Sequence, residues 1–182
     1  MAMRAGSSLQ PLRGAGRIRR TAAESWLLAA AGDRERAATE WDRQGLALLT
    51  AGHRWDAVRI PPHLLNPALD RHATPALLRY HLTEARLSGA VFCDPYRPFL
   101  YLLVPPGADD DWPRALTAAG AERLGSDHSH TCHVGVPRID RDRPPGSYWL
   151  QPPDSGGRRH VDAARLRDVL HARVHQPESG TP

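Results

Sequence analysis

Gly89-Ala-Val-Phe-Cys-Asp-Pro-Tyr-Arg-Pro-Phe-Leu-Tyr-Leu-Leu-Val104 is the stretch that decides the fold. Two runs rich in apolar and aromatic residues, Gly89 to Cys93 and Phe99 to Val104, flank Asp94-Pro-Tyr-Arg-Pro98, whose prolines and aspartate stop a strand and turn the chain. A connection this short joins antiparallel neighbours, because a parallel pair needs a crossover of about a dozen residues or more. Upstream, Trp55-Asp-Ala-Val-Arg-Ile60 alternates apolar and polar until Pro61-Pro62 ends it. Leu46 to Thr50 is an apolar run on the far side of the turn Ala51-Gly-His-Arg54, so Leu46 to Ile60 reads as a second hairpin. Downstream, Glu122 to Leu124, Thr131 to Val136 and Ser147 to Gln151 read as strands, with a charged, proline-rich loop from Ile139 to Gly146. The Pro-Pro pairs read as strand terminators.

Helices lie between these strands. Thr21-x-x-Glu24 has the form of a capping box and opens a helix carrying Trp26, Leu27 and Ala30. Gly32-Asp33 ends that helix and caps a second, Arg34 to Gln44. Leu64, Leu65 and Leu69 mark a helical stretch, and Thr74-Pro75 opens another with Leu77, Leu78, Leu82 and Leu87 at helical spacing and Gly89 at its end. Asp109-Asp-Asp-Trp-Pro113 reads as a helix start, where carboxylates meet the positive end of the dipole. The last helix runs from Asp162 to Val174. Strand hairpins mixed with helices predict an α+β (α/β) fold: a single domain over residues 21–174, with a largely antiparallel or mixed central sheet and helices packed on it.

The 182 residues include 24 basic side chains, all of them arginine, against 20 acidic ones. Without lysine there is no P-loop lysine, no Schiff-base lysine and no Ser-x-x-Lys nucleophile. Codon bias in a GC-rich genome, as in actinobacteria, accounts for arginine in lysine's place. Five arginines and no acid fall in residues 1–20, so residues 21–182 carry a formal charge of −1. The basicity belongs to the tail. Residues 1–20 read as a disordered basic tail and 175–182 as a second disordered tail. No apolar stretch approaches the about 20 residues of a membrane span; a cytoplasmic protein with Cys93 and Cys132 as reduced thiols is expected.

The densest polar cluster is Asp127-His-Ser-His-Thr-Cys-His133. In an extended segment His128, His130 and Cys132 share one face, and the pair His128 and His130 could reach one divalent metal, given a further ligand such as His53 or Asp94. Two-metal nucleotidyl transfer needs paired strand carboxylates. Asp56 and Asp94 each stand alone on their strands, while Asp140 and Asp142 sit among arginines in a loop. No Gly-x-Ser-x-Gly elbow is present. Arg158 and Arg159, in Asp154-Ser-Gly-Gly-Arg-Arg-His160, could hold phosphate; Arg13, Arg17, Arg19 and Arg20 of the tail could hold nucleic acid by charge alone. Trp55, Tyr101, Tyr148 and Trp149 could form a stacking platform or the core.

In their order, Trp55 to Pro61, Gly89 to Pro95, Phe99 to Pro106, His133-Val-Gly-Val-Pro137 and Ser147 to Pro153 resemble small streptomycete proteins similar to the N-terminal domain of bifunctional DNA primase/polymerases, over residues 40 to 172. The resemblance implies a primase-like α/β sheet. In that family an Asp-x-Asp/Glu strand pair binds metal and a later His contacts the nucleotide, within a Ser-Gly-Gly-x-His segment that Ser155 to His160 loosely matches. The acidic pair is missing here. The expectation is therefore a non-catalytic domain that binds nucleic acid, a nucleotide or a protein partner, without membrane association. Two alternatives are a protein interaction module with no nucleic-acid role and a small metal-dependent enzyme using His128 and His130.

Overall fold

The computed structural model describes residues 21–107, 112–125, 130–154 and 157–175. The elements run α1 (Ala22–Leu28), α2 (Arg34–Gln44), β1 (Leu46–Thr50), β2 (Asp56–Ile60), α3 (Pro62–Leu65), α4 (Pro75–Glu84), β3 (Val91–Asp94), β4 (Phe99–Val104), α5 (Arg114–Ala118), β5 (Glu122–Leu124), β6 (His133–Pro137), β7 (Tyr148–Gln151) and α6 (Ala163–Val174). This is an α+β domain with two antiparallel sheets. A five-stranded sheet has the order β5-β2-β4-β3-β7, and β1 and β6 form a separate two-stranded ribbon.

The β3–β4 hairpin forms as the sequence demands, with Asp94 opposite Phe99 and Val91 opposite Leu102. The second expected hairpin does not. Although β1 and β2 are joined by a tight turn, β1 pairs with β6 and β2 lies between β4 and β5. The burial patterns give the reason. Every residue of β2 except Arg59 is buried, as in a central strand covered on both faces. In β1 only Ala47 and Leu49 are buried and Leu48 points to solvent, as in a strand covered on one face. Both sides of β2 are occupied by strands from later in the chain.

Alternation along β2 and β4 sends side chains to two cores. Val58, Ile60, Leu100, Leu102 and Val104 pack with Leu64, Leu78, Leu82, Leu116, Leu166 and Leu170 of helices α3 to α6. Ala57, Phe92, Tyr101 and Leu103 face the other way, toward Leu27, Trp41, Leu49, Val134 and Trp149. The sheet thus lies between a layer of helices and a layer made of the β1–β6 ribbon with α1 and α2. Two indoles tie this second layer together: Trp41 Nε1–H donates to the Val136 carbonyl at 2.9 Å and Trp149 Nε1–H to that of Pro137 at 3.0 Å.

The ends of the elements follow their sequence signals with informative exceptions. Thr21 and Glu24 form the reciprocal capping box, with Glu24 N–H on Thr21 Oγ1 at 3.2 Å and Thr21 N–H on Glu24 Oε2 at 2.7 Å. Helix α4 stops at Glu84, short of Gly89, because Arg86 takes a left-handed φ of 55° and Leu87 N–H returns to the Leu82 carbonyl at 2.9 Å. This wrap is a Schellman-type end, and it tucks Leu87 back into the core. Pro113, not an aspartate, occupies the N-cap of α5; Asp109 to Asp111 lie outside the described residues. Three Pro-Pro pairs follow strands β2, β4 and β7, but Pro144-Pro145 sits within the β6–β7 loop, where Arg141 Nη1 donates to the Pro145 carbonyl at 3.1 Å. At the β7 edge Arg79 of α4 covers backbone acceptors, its Nε on the Leu150 carbonyl at 3.0 Å and its Nη2 on that of Trp149 at 3.2 Å. Among the described residues no helix is long and apolar enough to cross a membrane. The tails at 1–20 and 176–182 lie outside the described residues.

Candidate functional site

Among the described residues, those singled out from the sequence do not meet in one place. Arg13, Arg17, Arg19, Arg20 and His128 are outside the described residues. His130 is exposed in an isolated bridge before β6 rather than on a strand shared with Cys132. Among the described residues no three of His, Cys, Asp and Glu are placed to hold a metal ion. Trp55, Tyr148 and Trp149 are buried in the two cores, so they form no stacking platform. Arg158 and Arg159 are exposed on the loop that precedes α6. Cys93 is buried and Cys132 half-buried, and both are free thiols.

Asp56 has a structural task. It is fully buried at 0% exposure on the helix-covered face of β2. Its Oδ2 accepts from Arg123 Nε and Nη2, each at 3.0 Å, and from the Gly107 N–H at 3.0 Å. By the β2–β5 register Arg123 stands opposite Val58, which makes it the diagonal neighbour of Asp56 on the same face. Gly125 falls opposite Asp56, and a Cβ there would lie 2.8 Å from Oδ1. Only glycine leaves room for the carboxylate. Asp56 Oδ1 has no hydrogen-bond partner among the described residues. A carboxylate already bound to a guanidinium and closed over by backbone is not placed to hold a catalytic metal.

A groove with open space lies on the opposite face of the sheet. The groove, of about 340 Å³, is lined by residues of the β1–β6 ribbon together with residues of β2, β4 and the β3–β4 turn. Leu46, Leu48 and Val134 form its apolar wall, and Arg59, Tyr101, Asp94, Arg97, Cys132 and His133 supply polar groups. Arg59 is the one residue of β2 that escapes full burial. Its Nη2 pairs with Glu122 on the neighbouring strand, and its guanidinium carbon stands 4.6 Å from the centre of the Phe99 ring. Arg59 Nε is buried without a partner among the described residues. Burial raises the Tyr101 phenol above its ordinary value, and the charge of Arg59 opposes that rise. Cys132 is raised by burial and by the Glu122 charge, with Arg59 again opposing.

Asp94 and Arg97 come from the β3–β4 turn. Asp94 Oδ1 accepts from the N–H groups of Tyr96 at 3.0 Å and Arg97 at 3.4 Å, so one carboxylate oxygen is spent on holding the turn. That turn carries the Arg97 side chain to the groove, where its guanidinium has no hydrogen-bond or ion-pair partner among the described residues. Among the described residues the groove therefore presents two guanidinium groups, a histidine and a phenol against a single lining carboxylate. Sequence reading passed over Arg59 and Arg97 because arginine is so frequent in this chain. The available signal was position: Arg59 and Asp56 are the two charged side chains of a short central strand, where each needs a reason.

Comparison with protein-family models gives no match, and neither the curated proteins nor the solved structures contain one similar to this chain.

Proposed function

We propose that this chain is a non-catalytic domain that binds a nucleotide in the groove between the β1–β6 ribbon and the five-stranded sheet. The observation that carries the reading is Arg97, a guanidinium held at the groove by its own turn and left without a protein partner among the described residues. Arginine presents a planar fork of donors suited to phosphate oxygens. Arg59, one edge of which is unpartnered, stands behind it, and the apolar wall of Leu46, Leu48 and Val134 offers a surface for a base. A volume of about 340 Å³ falls within the range of small-molecule sites. The resemblance of the strand phrases to primase/polymerase N-terminal domains supports a nucleotide as ligand.

Support for the absence of catalysis comes from the carboxylates. Nucleotidyl transfer on two metals requires a pair of them facing the phosphates. Among the described residues Asp94 is the lining carboxylate of the groove, and Asp56 points to the other face of the sheet against Arg123.

Isothermal titration of the full chain with ATP and dATP tests the binding, with Arg97→Ala as the control. Loss of a charge-assisted phosphate contact is worth about 1.5–3 kcal/mol, so the variant should bind at least about tenfold more weakly. Heats indistinguishable from dilution for both nucleotides would overturn the reading. Primer extension with manganese or magnesium should yield no product; synthesis that Asp94→Ala abolishes would restore a polymerase.

A further inference from the structure

The far end of the five-stranded sheet, away from the Asp94–Arg97 turn, gathers a second set of cations. The β1–β2 turn brings His53 and Arg54, and the loop before α6 brings Arg158, Arg159 and His160, more than a hundred residues later in the chain. The two segments are joined by a hydrogen bond of 3.0 Å between His160 Nε2 and the Arg54 carbonyl. A carbonyl only accepts, so Nε2 carries the proton. The loop is pinned to the sheet as well: Val161 N–H donates to the Leu103 carbonyl at 2.7 Å and Ala90 N–H to that of Arg159 at 3.2 Å. Gly89, at φ 136°, lets it lie flat, since a Cβ there would sit 2.5 Å from the His160 backbone. Trp26 of α1 completes the cluster, its ring edge-on to His160 at 5.2 Å and 5.9 Å from the Arg159 guanidinium carbon.

We infer that this end of the sheet is a docking surface for the phosphate backbone of nucleic acid, separate from the nucleotide groove and not dependent on it. His53, Arg54, Arg158 and Arg159 are exposed. Among the described residues, Asp154 pairs with Arg159 at 2.8 Å, and Asp162 Oδ1 caps α6 by accepting from Arg165 N–H at 3.0 Å. Arg54 and Arg158 have no ion-pair partner among the described residues. The domain beyond residue 20 is close to neutral in total, so a local excess of cations held in place by backbone bonds is a feature of arrangement rather than of composition. In the chain Arg19 and Arg20 directly precede Thr21, the N-cap of α1. A nucleic-acid backbone, with closely and regularly spaced negative charge, matches such a surface. A bilayer matches it less well, because the exposed large apolar side chains, Leu48, Leu77, Tyr80 and Tyr96, are on β1, α4 and the β3–β4 turn.

Fluorescence anisotropy of the full chain with a labelled 20-nucleotide strand and the corresponding duplex, between about 25 and 200 mM salt, tests the inference. Each phosphate contact contributes about −0.7 (single strand) to −0.9 (duplex) to the slope of log K against log salt. The double variant Arg54→Ala/Arg158→Ala should reduce the slope by about 1.4 for the strand and about 1.8 for the duplex, with an unchanged melting temperature. Arg97→Ala should leave the slope alone, so that failure of the groove reading is told apart from failure of this one. A slope and affinity unaltered in the double variant would overturn the inference. So would binding to vesicles of phosphatidylserine and phosphatidylcholine, lost in the double variant, with neither DNA retained.

Discussion

Asp56 and Arg123 form an ion pair in which the carboxylate is fully buried and the guanidinium is 17% exposed. Removing one partner of such a pair leaves a buried charge without compensation, at a cost of about 3–5 kcal/mol. Asp56→Ala should show that loss in urea denaturation, whereas Asp56→Ala/Arg123→Ala should cost clearly less than the two single changes added together; strict additivity would show that the pair is not coupled. The indoles give a second comparison. Trp41 donates to the Val136 carbonyl, while Trp55 Nε1, equally buried, has no partner among the described residues. Trp41→Phe should therefore destabilise by about 1 kcal/mol more than Trp55→Phe. The thiols differ as well. Burial pushes the Cys93 thiol up to about 11 from an ordinary 9.0, with its hydrogen bond to Tyr148 opposing and Asp94 adding to the rise. A group whose folded pKa is raised stabilises the fold below its unfolded pKa, so this contribution is intact up to about pH 9 and is lost as pH climbs toward 11. At pH 8 a disulfide reagent should titrate Cys132 in the native protein and Cys93 only after unfolding. Two thiols reacting at one rate would contradict the burial. Little of this was visible in the sequence, since Asp56 stands alone on its strand and meets Arg123 only through the β2–β5 register.

At the scale of elements, local signals succeeded where the partner lies a few residues away. The Thr21 capping box, the β3–β4 hairpin and the Asp162 cap of α6 each depend on chemistry within one turn of chain. The expected β1–β2 hairpin failed because adjacency in sequence is only a tendency. Five residues in β1 and five in β2 fit a hairpin by length and turn, and only the need of β2 for cover on both faces and for partners on both sides excludes it. His130 lies ahead of the strand that begins at His133, and His128 lies outside the described residues. The loop before α6 depends on Gly89. With φ at 136° and His160 backbone 2.5 Å from a Cβ position, Gly89→Ala should destabilise by about 1–3 kcal/mol and displace the loop. Thermal unfolding should show the loss, and an unchanged melting temperature would mean that the loop is not held against the sheet.

At the scale of the molecule, the α+β class was legible because alternation of strand and helix patterns survives errors in pairing. The division into two sheets was not, and the groove exists only because of that division. Its polar residues come from β2, β4, β6 and the β3–β4 turn, and no contiguous motif joins them. The formal charge proved a poor guide, since the chain outside residues 1–20 is nearly neutral and what matters is where cations lack partners. Among the described residues, Arg97 at the groove, and Arg54 with Arg158 at the opposite end, meet that criterion. The nucleotide groove is the central claim, and amide chemical-shift mapping of the isotopically labelled full chain on addition of ATP tests it most directly. Saturable shifts concentrated at Arg59, Arg97, Tyr101, His133 and Val134 are expected. Shifts that fail to saturate, or that cluster away from those residues, would contradict it.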